Sequence, residues 1–199
     1  MPKIINFLSD PSHCPELAQA YDQAISCDSD YLAWWNSCQR GNALAEFALS
    51  LEIEEKILIR AICRCVRTVL KFIPLQFQQQ SMQVLKTVEA WKNDLASQEE
   101  VRAEIDSLRS LAKVCNIDQS ERCAIATIMM SSNRDVETTI RFVADTWAIA
   151  ETKEISRSDD YCNSDRYIKV FNRVNQVCAD IIRSEISISV ITDRWSKYS

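Results

Sequence analysis

Five cations recur along one stretch of the chain, Lys56, Arg60, Arg64, Arg67 and Lys71, at steps of four, four, three and four residues. At about 100° per residue in an α-helix these positions fall within an arc of about 80°. A line of guanidinium and ammonium groups is equipped to meet an acidic protein surface, where complementary charge sets encounter rate and selectivity. The same line could instead be neutralised by Glu52, Glu54, Glu55 and the acidic N-terminal segment, or be a solvated face. Nucleic acid is not the expected partner, because a single stripe in a chain of net charge −5 lacks a broad positive field.

A second candidate for partner binding is the aromatic group Tyr31, Trp34 and Trp35. Adjacent tryptophans on a helix point about 100° apart, so both are buried only if that helix lies in a groove. A tryptophan left outside would be a natural interface anchor.

Catalytic and metal chemistry find little to work with. The single histidine, His13, sits beside Cys14 in a segment between Pro11 and Pro15, a poor place to preorganise a base. Cysteines at 14, 27 and 38 are scattered, and Cys63 and Cys65 would lie about 200° apart on a helix, so neither set converges on one ion. Glu100 and Glu104 are one turn apart but lack the Glu-x-x-His partners of a carboxylate metal site. One glycine rules out a Gly-rich phosphate loop. No catalytic residue, metal site or cofactor is expected, and the chain does not read as an enzyme.

The stripe's positions belong to the stretch Leu51 to Ile73 (LEIEEKILIRAICRCVRTVLKFI), the longest apolar run free of Gly and Pro. With one polar line and apolar residues elsewhere, it reads as a central helix buried on nearly every side. Charge is uneven around it: residues 1–55 carry −7, residues 56–74 carry +5 and the rest −3. With 199 residues, one Gly and four Pro, the tight turns of an all-β fold are excluded. The expected fold is all-α: a single irregular multi-helix bundle of packed helical hairpins around that helix, spanning residues 1–199.

The remaining elements follow from periodicity and caps. Residues 1–14 read as an arm, and Pro15 opens a helix through Ile25. Asp28 or Asp30 would cap the tryptophan helix, which Gly41 should end as a left-handed cap. Asn42 to Leu49 reads as a short turn. Pro74 ends the central helix, and a helix through Phe77 and Trp91 should form an antiparallel hairpin with it. Ser97 with Glu100 and Asp118 with Glu121 form capping boxes. A further helix starts near Asn133. Residues 151–165 read as a flexible loop, a helix follows to about Ser187, and 188–199 is a tail of frayed helix or extended arm.

The nine cysteines show no C-x-x-C pair and are odd in number, so reduced thiols and a cytoplasmic location are expected. Met1 to Leu8 does not read as a signal peptide, and no apolar run is long enough to span a membrane.

The segment Arg60-Ala-Ile-Cys-Arg-Cys-Val-Arg-Thr-Val-Leu-Lys-Phe-Ile-Pro74, followed by Val88-Glu-Ala-Trp91, resembles a family of all-helical bacterial proteins assigned as immunity proteins of polymorphic toxin systems. The resemblance covers roughly residues 30–95. It departs after Trp91, where Lys92-Asn93-Asp94 replaces a glycine-bearing turn, and in having no histidine in the later helices. It implies a cytoplasmic protein that binds and neutralises a toxin, and it assigns no catalytic residue. The alternative is a structural or adaptor domain that self-associates as a homo-oligomer through apolar helix faces.

Overall fold

The computed structural model describes residues 30–132, 135–153 and 164–197. Among them are nine α-helices, one 3-10 helix and no strand, so the fold is all-α as the sequence implies. The helices are α1 (Asp30–Ser37), α2 (Gly41–Ser50), α3 (Glu55–Arg67), α4 (Leu75–Lys92), α5 (Gln98–Val114), α6 (Gln119–Met130), α7 (Val136–Thr152), α8 (Asp165–Glu185) and α9 (Ile188–Trp195), with the 3-10 helix Thr68–Phe72 after α3. The arm, the helix expected after Pro15, His13 and the middle of the 151–165 loop lie outside the described residues.

Helix α3 is the centre of the body, packing on α2, α4, α6, α7 and α8. Leu58, Ile59, Ala61, Ile62, Cys63, Cys65 and Val66 are all buried on it, while Lys56, Arg60 and Arg64 face outward. Around it, α7 and α8 make the most extensive pairing, α2 lies against both, and α4 pairs with α5.

The central helix is shorter than the run Leu51 to Ile73 suggests, for two physical reasons. Before it, Leu51 and Ile53 are both buried, and the chain turns between them with Glu52 in the left-handed region at φ 53°. Glu52 N–H donates to Leu49 O at 3.0 Å and Ile53 N–H to Ala48 O at 3.1 Å, the bond pair of a Schellman cap. The buried apolar pair Ile53 and Ala48 closes the cap, overriding the cost of a non-glycine residue there. After it, residues 68–72 tighten to 3-10 winding before Pro74 opens α4.

Gly41 does not cap α1. It is the first residue of α2, with no positive φ, and Asn42 to Leu49 is helical rather than a turn. Its role is close approach to α8: a Cβ at 41 would stand 2.5 Å from Cys178 Cβ and 3.0 Å from Ala179 N. The carbonyls at the end of α1 are met by Arg183, whose Nη1 donates to Trp35 O at 3.1 Å and Cys38 O at 2.7 Å. A guanidinium at a helix C-terminus satisfies orphan carbonyls and suits their negative end.

Caps elsewhere match the sequence pattern. Ser97 and Glu100 form the capping box of α5, and Asp118 and Glu121 that of α6. Asp135 caps α7, which starts at Val136. Glu151 and Thr152 extend α7 into the expected loop, and Asp165 already belongs to α8. The tail is α9: Ile191 is buried and Trp195 packs inward, so a spacing of four outweighs the Ile-Ser alternation.

Candidate functional site

The solvent-facing line of α3 is positioned by burial of the apolar residues from Leu58 to Val66 on the rest of that helix. Its three arginines are each answered by a carboxylate from a distant part of the chain. Arg60 Nε donates to Glu185 Oε2 at 2.5 Å, and Arg64 Nη1 donates to the other oxygen of the same carboxylate. Glu185 is the last residue of α8 and its side chain is only 10% exposed, while those of Arg60 and Arg64 are 58% and 48% exposed. Burial by itself would raise the Glu185 pKa. Hydrogen bonds from Arg64 and Arg60, with their charges, outweigh it and hold the carboxyl below its ordinary range.

Arg67 forms a two-pronged pair with Glu89 of α4, with Nη2 at 2.6 Å from Oε2. The guanidinium pKa rises, chiefly through that hydrogen bond, against the opposing effect of burial. Lys56 Nζ lies 2.8 Å from Glu54 Oε1. One turn away on α4, Lys92 Nζ is 2.5 Å from Glu55 Oε1 and 3.6 Å above the centre of the Trp91 ring.

Lys71 leaves the line. Four residues of 3-10 winding turn about 480°, against 400° in an α-helix, so Lys71 lies about 80° away from its expected direction. Its Nζ stands 3.4 Å from the centre of the Trp147 ring and 4.6 Å from that of Phe72. Trp147 is fixed in turn by its Nε1, which donates to Thr68 Oγ1 at 3.2 Å, and by edge contact with Phe72. The 3-10 turn is therefore a clasp on α7, and Lys71 closes it.

Trp34 and Trp35 both pack. Trp35 is 1% exposed, and Trp34 is half-buried with its ring edge-on to Phe47 at 5.1 Å. Tyr31 stacks on Trp195 at 4.4 Å, and Phe47 lies 6.0 Å from Trp195. Helices α1, α2 and α9 thus share one aromatic cluster.

The line and the aromatic cluster are separate features, and α8 reaches both: its Glu185 meets the arginines and its Arg183 meets the α1 carbonyls. Neither Glu185 nor Lys92 is marked in the sequence by periodicity or motif. The only available signal is that an acid at a helix C-terminus is unfavourable there and needs a compensating cation.

The thiols on α3 are poor nucleophiles. Burial raises Cys63 to about 12, with the Glu89 charge adding and Arg67 opposing. Burial likewise raises Cys65, beside Cys178. Glu100 is occupied in its capping box and Glu104 accepts from Gln80 Nε2 at 2.6 Å. Among the described residues no group of three His, Cys, Asp or Glu side chains is placed to hold a metal ion. No helix among them is long and apolar enough to cross a membrane.

Beside the line lies an open cleft of about 150 Å³, lined by Lys56, Ile59, Arg60, Glu89, Lys92 and Asn93. No protein-family model, curated protein or solved structure matches this chain.

Proposed function

We propose that this chain is a non-enzymatic protein-binding module whose docking face is the outward line of α3, and that its partner presents an acidic surface. The observation that carries this reading is the sharing of one carboxylate, Glu185, by two half-exposed arginines. Among the described residues the ion-pair partners of Lys56, Arg60, Arg64 and Arg67 along the line, and of Lys92 beside it, are Glu54, Glu55, Glu89 and Glu185. Five cations against four carboxylates leave a local positive surplus on an acidic chain. Such a surplus speeds encounter with an acidic partner and selects against basic ones.

The resemblance around residues 60–91 suggests the kind of partner: a toxin that the chain binds and neutralises in the cytoplasm. Affinity capture from native cells tests the face. A protein captured by the natural chain at low salt, and lost with Lys56→Gln, Arg60→Gln and Arg64→Gln combined, supports the reading. Undiminished capture by the folded triple variant removes the face from the account.

A second reading, self-association, is favoured by a different observation. Leu75 at the start of α4 and Val114 at the end of α5 are 84% and 81% exposed. Light scattering over a concentration series separates the two: a monomer throughout counts against self-association.

A further inference from the structure

The cleft beside the line is too small for a free cofactor or drug-sized ligand, whose pockets run to about 300–1,000 Å³. At about 150 Å³ it suits one functional group at the tip of a larger molecule. Three of its six lining side chains are cations, Lys56, Arg60 and Lys92, against one carboxylate, Glu89.

Their hydrogen-bonding capacity is only partly used. An arginine offers five N–H donors and a lysine three. Arg60 places its Nε on Glu185, and among the described residues its two Nη groups have no hydrogen-bond acceptor. Lys56 and Lys92 each meet a single carboxylate, Glu54 and Glu55. Two of them are tied to other parts of the fold: Arg60 through its Nε alone to Glu185 of α8, and Lys92 to Glu55 and the Trp91 ring beneath it. Lys92 is held tightly, with its side chain 9% exposed, whereas Lys56 and Arg60 are about half exposed. The cleft therefore has one fixed cation and two adaptable ones, and Ile59 supplies an apolar wall.

We infer that this cleft receives the carboxylate of an Asp or Glu side chain from the acidic partner segment, with Lys56, Arg60 and Lys92 as its donors and Ile59 against its methylene. This rests on the docking-face reading above and adds to it the point of anchorage. A monoanion fits better than a phosphoryl dianion, because Glu89 stands in the wall and would repel the second charge.

The probe is a short acetylated and amidated peptide alternating Glu and Ala, dye-labelled and titrated by fluorescence anisotropy, with Gln in place of Glu as its control. The Glu peptide should bind and the Gln peptide should not. Lys56→Gln with Arg60→Gln should weaken binding about tenfold, a loss of about 1.4 kcal/mol. Arg64→Gln with Lys71→Gln removes the same charge outside the cleft and should weaken it about threefold or less.

Equal weakening by the two pairs overturns the cleft while leaving the docking face standing. Equal binding of the Glu and Gln peptides overturns both. Displacement of the Glu peptide by inorganic phosphate at concentrations where acetate has no effect overturns the carboxylate assignment. If the double variant melts early, Lys56→Gln alone carries the test, since that side chain is about half exposed and pairs only with Glu54.

Discussion

Gly41 and Cys178 are in such close contact that one added methyl group would overlap: a Cβ at 41 would lie 2.5 Å from Cys178 Cβ. Helices α2 and α8 cross there at backbone distance, with Ala179 N 3.0 Å from the same point. Gly41→Ala should therefore destabilise the protein by about 1–3 kcal/mol, the usual cost of overpacking a closed interior. Chemical denaturation measures this directly. A neutral or stabilising result would mean that the α2–α8 crossing is looser than described.

Three non-glycine residues among those described are left-handed: Lys153 at φ 58°, which ends α7, and the pair that ends α2 and α4, Glu52 at φ 53° and Asp94 at φ 59°. Glu52 and Asp94 both complete Schellman caps, with Asp94 N–H donating to Trp91 O at 3.1 Å and Leu95 N–H to Ala90 O at 2.9 Å. A side chain costs roughly 1–2 kcal/mol in that conformation, and glycine gives back part of this through a freer unfolded chain. Glu52→Gly should thus be more stable than Glu52→Ala by about 1 kcal/mol, and Asp94→Gly more stable than Asp94→Ala by a similar amount. Thermal melts of the four variants check the order. At a helical position such as Glu99 alanine should win instead.

Asp145 on α7 carries a half-buried carboxyl that accepts from Tyr167 Oη at 2.7 Å. Burial raises its pKa above the ordinary 3.8, against the lowering effects of the Tyr167 hydrogen bond and the Arg141 charge. A carboxyl raised in the folded state favours folding when protonated, so its contribution is fully present below the ordinary value and is lost as pH rises through the folded one. Asp145→Asn keeps an acceptor for Tyr167 and removes that dependence. Its stability relative to the natural chain should therefore grow as pH rises from below 4 to neutrality, as read from urea midpoints at a series of pH values. A constant difference across the series would show that Asp145 titrates alike in folded and unfolded chains.

Helices were the legible part of this fold because apolar residues at helical spacing must face a core, and the caps at Ser97 and Asp118 are local in sequence. The stops were legible where Pro74 enforces one. They were illegible at Glu52, where buried Ile53 and a backbone bond pair impose a turn on a residue with no turn preference. Gly41 was misread as a cap because its actual reason, the closeness of Cys178, lies far along the chain. The basic line on α3 was readable from residue spacing up to Arg67. Lys71 was not, since the change from α to 3-10 winding redirects it onto Trp147. The counter-ion Glu185 and the cleft wall at Lys92 come from other helices, and only packing brings them to α3.

The line on α3 depends for its neutralisation on one residue more than any other. Glu185→Gln retains an amide oxygen for the arginines but removes the shared negative charge, and at surface separations that is worth about 0.5–1 kcal/mol toward an incoming acid. The decisive measurement is the affinity of this variant for the alternating Glu-Ala peptide, titrated by anisotropy at low and at high salt. A docking face for acidic partners predicts binding about threefold tighter than the natural chain at low salt, with the gain vanishing at high salt. Unchanged or weaker binding at low salt in the folded variant would contradict it, and the line would then be a surface whose charges serve only to tie α3 to α8.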